Sequence, residues 1–228
     1  MSYLTKALAV PASLIIALWQ VGCSPGGARR LPAAENTLPA APASEVPAGA
    51  GQSSPSEAHD ARWYFERGGE LYRDDRDAEA AEAFRQAVSL DPGMAEAHYR
   101  LGLVLASLGE DEGAEEAFER AARAFRRVIS RRPKDAEAYY VSGLVHSRLH
   151  KYGEAVRDYQ KAVDLDPMDG DKYYELGLAH SRLAQYGEAV KAHRRAVGID
   201  PNNYRAAEAL EEARADLTRL KAAAKRKG

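Results

Sequence analysis

Glycine and proline recur at a nearly fixed interval from about residue 60 onward. Successive glycines are separated by 34, 41 and 34 residues: Gly68, Gly102, Gly143 and Gly177. Four prolines have separations of 41, 34 and 34 residues: Pro92, Pro133, Pro167 and Pro201. The pentapeptide YGEAV also occurs twice, 34 residues apart, starting at Tyr152 and at Tyr186. Such a period indicates that the chain builds one supersecondary unit several times and stacks the copies.

Each unit carries small and aromatic residues at matching positions. The third unit has Tyr139, Gly143, Ala155, Tyr159, Ala162 and Pro167, and the fourth has Tyr173, Leu176, Gly177, Ala189, His193, Ala196 and Pro201. The first has Tyr64, Gly68, Ala80, Phe84, Ala87 and Pro92, and the second has Leu101, Gly102, Ala114, Phe118 and Ala121. Over about residues 61–222 this pattern resembles the tetratricopeptide repeat (TPR) family.

The resemblance implies an all-α fold, a right-handed superhelical solenoid of helix-turn-helix pairs. It places a TPR domain at residues 59–223, with four repeats at about 61–94, 95–135, 136–169 and 170–203. A C-terminal capping helix should follow at 204–223, and the basic residues 224–228 should form a frayed tail.

Packing arguments predict how each helix pair is held together. Glycine and alanine should lie where two helix backbones come closest, and the large aromatic residue should fill the space toward the next repeat. Proline should end each second helix, because it cannot donate a backbone hydrogen bond and clashes with the preceding turn. Four polar side chains should cap the helices that follow them: Asp60, Asp135, Asp169 and Asn203.

The second unit is seven residues longer than the others, 41 against 34. Seven residues are nearly two helical turns, which add about 10 Å of length with a rotation of only about 20°. The sequence therefore predicts one continuous helix from about Glu112 to Arg131 that keeps the same face inward. Its added part is basic and should protrude beyond its neighbours, with Arg126, Arg127, Arg131 and Arg132.

The first 58 residues differ in composition from the repeats. The apolar run Ala7–Trp19 has the length of a signal-peptide core rather than of a membrane span. Gly22-Cys23 resembles the end of a bacterial lipobox, although Gln20 stands where that motif prefers a leucine-like residue. We expect a lipoprotein signal peptide at 1–22, lipidation of Cys23 and a disordered Pro/Ala-rich linker at 23–58. An ordinary cleaved signal and an uncleaved anchor are the alternatives.

Composition and motifs offer little support for nucleic-acid binding, enzyme activity or metal binding. The formal net charge is -2 and the pI is about 6.3, so no charge excess indicates a nucleic-acid partner. The sequence contains no phosphate-binding loop, metalloprotease helix or paired-cysteine site, and we expect no enzyme activity, no cofactor and no metal. The remote alternative uses His146 and His150, spaced four residues apart on a predicted helix, for metal binding or catalysis. Packing of His146 against a neighbouring helix is the simpler interpretation.

In the TPR family the first helices of the repeats line a concave groove that binds proteins or peptides. By this resemblance the groove should carry an aromatic row, an apolar row and an arginine edge: Phe65, Tyr99, Tyr140 and Tyr174; Leu103, Leu144 and Leu178; Arg73, Arg148 and Arg182. The alternative interpretations are that the tyrosines only pack within the stack and that the arginines only favour helix C-termini.

The resemblance extends to small bacterial TPR lipoproteins. It implies an exported, lipid-anchored scaffold that binds a partner protein or peptide in its groove and assists assembly of a bacterial envelope complex. The expected location is the extracytoplasmic side of the cell envelope, at the outer membrane facing the periplasm in a Gram-negative cell. The alternative is an obligate structural subunit of such a complex.

Overall fold

The computed structural model describes residues 59–227, which form nine α-helices. The predicted signal peptide, Cys23 and the linker lie outside this range. The helices are α1 (Ala61–Arg73), α2 (Asp77–Leu90), α3 (Ala95–Ser107), α4 (Asp111–Arg131), α5 (Ala136–Arg148), α6 (Tyr152–Leu165), α7 (Gly170–Arg182), α8 (Tyr186–Ile199) and α9 (Tyr204–Lys227). None of them combines the length and the hydropathy that a membrane span requires.

The helices form four pairs followed by one terminal helix. The first helix of every pair has 13 residues, and the second has 14, except that α4 has 21. Each helix packs mainly against the helices directly before and after it. Buried apolar side chains therefore continue along the stack instead of meeting in one centre. The all-α solenoid of helix pairs is confirmed.

Side-chain caps begin four of the helices, as the sequence predicts. The carboxylate of Asp60 accepts a hydrogen bond from the backbone N–H of Trp63 at 2.8 Å, and Asp135 accepts one from Ala138 at 3.0 Å. Asp169 and Asn203 accept equivalent bonds at the starts of α7 and α9. Helix α3 follows Met94, which has no side chain that can cap it.

A residue with left-handed backbone conformation lies in the turn after the first helix of every pair. These residues have φ between 55° and 77° and stand at matching repeat positions: Asp75, Gly109, His150 and Ala184. The conformation reverses the chain between the two helices of a pair. It is costly for residues other than glycine, because Cβ then crowds the following carbonyl oxygen.

Each repeated glycine lies against a ring from the second helix of its own pair. A Cβ atom at Gly68 would lie 2.8 Å from the ring of Phe84, and one at Gly102 would lie 2.6 Å from the ring of Phe118. The third and fourth pairs repeat this contact with Tyr159 and His193. A side chain larger than glycine would collide with this ring, which comes from the second helix of the pair and is buried against the glycine of the first.

Helix α4 is continuous through the seven added residues, as predicted. Its inner face stays buried along the extension, since Ala124 is 1% and Phe125 is 6% exposed. Val128 and Ile129 pack against the same core cluster, while the arginines of this segment are exposed. The extension therefore packs along the stack and does not protrude freely, because a seven-residue insertion leaves the apolar stripe almost in register.

Helix α9 runs to Lys227, four residues past the predicted end at 223. Residues 224–227 are thus helical and not a frayed tail. Alanine and lysine are strong helix formers, and the predicted boundary ignored how well KAAAKRK continues the helix. The first half of α9 buries Ala206, Leu210 and Ala213 against α8 and closes the stack.

Candidate protein-binding groove

Three successive pairs contribute to one open cavity of about 780 Å³, which we call the central groove. Its walls come from the end of α3, the start of α4, the second halves of α5 and α7, and the turn that precedes α6. The side chains that shape it are Asp111, Glu115, Phe118, Leu144, Ser147, Arg148, His150, Tyr152, Glu175, Leu178 and Arg182.

Aliphatic residues form the floor of the central groove, and arginines stand at its edge. Leu144 and Leu178 are half-buried at matching positions of α5 and α7. Arg148 and Arg182 lie one turn further along the same helices, in their last turns, and are exposed. Four of the ten predicted groove residues therefore lie together around one cavity.

Glu175 lies in the same cavity and was missed by the sequence analysis. Burial raises the pKa of this carboxyl group, although the nearby Arg205 and Arg148 lower it. The folded protein thus holds a partly desolvated carboxylate beside an arginine edge. The helical spacing could have identified it, since Glu175, Leu178 and Arg182 stand at i, i+3 and i+7 on one face of α7.

The residues of the predicted aromatic row pack against other rings within the stack. Each member packs against the ring of the second helix in its own pair, at centroid distances of 5.7–6.1 Å: Phe65 on Phe84, Tyr99 on Phe118, Tyr140 on Tyr159 and Tyr174 on His193. Tyr99 is only 7% exposed, so it is a packing residue of the stack.

Cations from neighbouring helices cover the last two members of this row. The buried Lys172 ammonium lies 5.6 Å from the ring centroid of Tyr140 and is paired with Asp166 at 3.0 Å. The Arg205 guanidinium of α9 lies 4.8 Å from the ring centroid of Tyr174. Both tyrosines therefore already have a cationic partner within the protein.

The remaining predicted residues lie nearer the N-terminal end of the stack. Phe65 and Arg73 line a separate cavity of about 470 Å³ together with Glu70 and Arg100. Leu103 is half-buried and packs against the first core cluster.

The two histidines of the metal hypothesis have structural partners. His146 Nδ1 lies 2.8 Å from Asp158 Oδ2, which also accepts a hydrogen bond from Ser142 at 2.6 Å. His150 occupies the left-handed turn after α5, where its Nδ1 lies 2.8 Å from the hydroxyl of Tyr152. Within residues 59–227, no group of three or more His, Cys, Asp or Glu side chains is arranged to hold a metal ion.

Comparison with known families agrees with this architecture. Tetratricopeptide repeat models match residues 68–109, 93–168 and 140–204, which together span the stack from Gly68 to Tyr204. The chain belongs to the tetratricopeptide repeat family.

Several solved structures share the fold. The structure described as "MamA RS-1 ArsTM double mutant" is 25% identical with a TM-score of 0.53, over 72% of this chain and 89% of that one. "Crystal structure of MamA protein" is 22% identical with a TM-score of 0.52, over 72% and 86% of the two chains. The APC/C hetero-tetramer Cut9-Hcn1 is 18% identical with a TM-score of 0.55, over 68% of this chain and 30% of that one. A search of curated proteins gives no match.

Proposed function

We propose that this chain is a scaffold that holds a segment of a partner protein in the central groove. The observation that carries the proposal is the cavity itself, since Leu144 and Leu178 form an apolar floor with Arg148 and Arg182 along one edge. Exposed apolar surface of this kind is typical of interaction sites, and arginine is enriched at binding hot spots.

The side chains that line the groove indicate which groups a bound segment would carry. Apolar side chains would cover the two leucines, and at least one acidic group would pair with the two guanidinium groups. Burial disfavours the charged form of the half-buried Glu175 carboxyl group. A hydrogen-bond donor on the segment, next to its acidic group, would stabilise that charge. A segment with apolar, acidic and donor groups in sequence would satisfy all three features.

The proposed setting is the cell envelope. Export and lipidation at Cys23 would place the groove on the extracytoplasmic side, where the scaffold would assist assembly of an envelope complex. The support is the apolar run before Gly22-Cys23. Mass spectrometry of the mature protein should show a lipidated N-terminal Cys23. An unmodified N-terminus downstream of that residue would overturn the anchor and leave the groove untouched.

Substitutions in the groove test the binding site. Leu178→Asp places an uncompensated charge on the apolar floor and should weaken binding of the native partner by about tenfold or more. Arg148→Ala with Arg182→Ala should remove most of the dependence of binding on salt, because edge charges mainly steer association. The matched control is Arg157→Ala on the exposed face of α6, outside the groove.

Circular dichroism would first establish that each variant is folded. If folded Leu178→Asp protein binds the partner as well as the wild type does, the central groove is not the site.

The salt dependence of binding also distinguishes a recruiting scaffold from an obligate subunit. A recruited partner should dissociate in high salt, whereas a fixed subunit held over a large apolar area should remain bound.

A further inference from the structure

A third cavity lies away from the central groove, between the end of α2 and the middle of α4. Its volume is about 290 Å³, and His98 of α3 is one of its lining residues. We call it the arginine pocket, because three arginines of α4 line it: Arg120, Arg123 and Arg127. The hydroxyl-bearing Ser89 of α2 completes its polar lining. The volume suits one small polar group better than a drug-sized molecule.

The three arginines stand at i, i+3 and i+7 and so share one face of α4. Arg120 is held by Glu116 at 2.6 Å, and Arg123 lies 3.6 Å from Glu119. Arg127 has no carboxylate within 4.0 Å among residues 59–227. Among the described residues, Arg127 is therefore the arginine of this pocket whose charge no nearby carboxylate neutralises.

The helix dipole does not explain this placement. Cations are favoured by the dipole only within the last turn of a helix. Arg120 and Arg123 stand more than one turn before Arg131, where α4 ends.

The surroundings of His98 reflect the positive charge of this pocket. The residue is 4% exposed, and its Nε2 lies 3.2 Å from the carbonyl oxygen of Pro92, to which it donates. The buried Nδ1 is then a lone-pair acceptor, so the neutral ring supplies no charge of its own to the pocket. Burial lowers the pKa of His98, and the charges of the three arginines lower it further. An anion in the pocket would offset this concentration of positive charge.

The same positions are occupied differently in the other repeats. Tyr139 and Tyr173 stand where the second repeat has His98, and Lys161 and Arg195 stand where it has Arg120. In the fourth repeat the Arg195 guanidinium lies 5.9 Å from the ring centroid of Tyr173, so a tyrosine ring is its partner. Arg127 lies beyond the first 14 residues of α4, which match the 14 residues of α6 and α8, so it has no counterpart in those helices.

We propose that the arginine pocket binds a phosphate-type oxyanion between the guanidinium groups of Arg123 and Arg127, above the buried ring of His98. Guanidinium groups suit this ligand, since their planar N–H pairs match two oxygens of one phosphate. The oxyanion could be a free phosphate or the headgroup of an anionic phospholipid. This inference is independent of the partner-binding groove.

Phosphate titration followed by NMR tests the proposal. The full-length chain carrying Cys23→Ser would be used, so that a lipid anchor cannot contribute to binding. Adding inorganic phosphate at constant ionic strength should shift the ring signals of His98 in a saturable manner. The ring signals of the equally buried His193, at the other end of the stack, should not move.

Two double variants of equal charge separate the site from general electrostatics. Arg123→Gln with Arg127→Gln should weaken phosphate binding by about tenfold or more, because two charge-assisted hydrogen bonds are lost. Arg157→Gln with Lys161→Gln removes two charges with the same spacing from the exposed face of α6 and should leave binding intact. Arg127→Gln alone serves if the first double variant does not fold.

Sedimentation with vesicles distinguishes the two sources of the oxyanion. Binding to phosphatidylglycerol vesicles but not to phosphatidylcholine vesicles, lost only in the Arg123/Arg127 variant, assigns the pocket to a lipid headgroup. Phosphate binding without vesicle binding assigns it to a free phosphate or a soluble phosphate ester. The proposal is overturned if phosphate does not shift His98 saturably, or if both double variants lose binding equally.

Discussion

Replacing His193 by phenylalanine should stabilise this protein, and most strongly in acid. The imidazole is fully buried in the slot against Gly177, where the other repeats place Phe84, Phe118 or Tyr159. Neither of its ring nitrogens has a hydrogen-bond partner among the described residues. An unpartnered buried polar group costs about 1–3 kcal/mol, and phenylalanine removes that cost at every pH.

The pH dependence follows from the shifted titration of His193. Burial, with a smaller contribution from His180, lowers its pKa from 6.5 to about 4. Above pH 6.5 the ring is neutral in both the folded and the unfolded chain. Between pH 6.5 and 4 only the unfolded chain takes up the proton, so stability falls as the pH falls, and the loss levels off below pH 4. This shift corresponds to about 3 kcal/mol.

Urea denaturation followed by circular dichroism, at several pH values from about 7.5 to 4, measures the effect. The difference in the free energy of unfolding between His193→Phe and wild type should grow by about 3 kcal/mol as the pH falls through this window. Tyr159→Phe, in the same slot of the third repeat, is the control and should show no such growth, because burial raises the pKa of Tyr159 away from this range. A difference that stays constant with pH would refute the reasoning.

Two further predictions concern the backbone of the repeats. Deleting Ala122–Val128 should preserve the fold, because it removes seven residues and returns α4 to the 14 residues of its counterparts. Deleting only five residues should rotate the rest of the helix by about 140° and lower the melting temperature. Equal melting temperatures for the two deletions would contradict the register argument. Ala184→Gly should stabilise the protein by about 1 kcal/mol, because Ala184 has φ of 55°, while Gly109→Ala at the matching turn should destabilise it. Thermal unfolding measures both changes, and a loss of stability in Ala184→Gly would show that the turn is not strained.

The spacing of glycine and proline revealed the repeat, and the resemblance to the TPR family then predicted the helix pairs and the longer α4. A repeat period constrains every helix at once, so four aspartate or asparagine caps and the seven-residue excess could be located without coordinates. The contact between each glycine and a ring was not predicted, because the spacing of Gly68 and Phe84 does not reveal it. The length of α9 was also underestimated, since the repeat pattern ends before its last turns.

Less of the groove could be predicted. Leu144, Arg148, Leu178 and Arg182 were found because their positions follow from helix periodicity. The depth of Tyr99 and the covering of Tyr174 by Arg205 depend on side chains of neighbouring repeats and of α9, which one repeat taken alone does not specify. Glu175 was missed because the predicted groove residues were those of similar type in several repeats. The third repeat has Val141 at the position that matches Glu175.

Site-specific photo-crosslinking in the native cell tests most directly whether the central groove holds a partner. A photoreactive residue in place of Leu178 would lie on the floor of the groove, and one in place of Arg157 would lie on the exposed surface of α6. The proposed function predicts one discrete crosslinked protein from position 178, absent from position 157 and lost when Leu144→Asp is added. Crosslinks of equal yield from both positions, or none from position 178 in a folded chain, would contradict it.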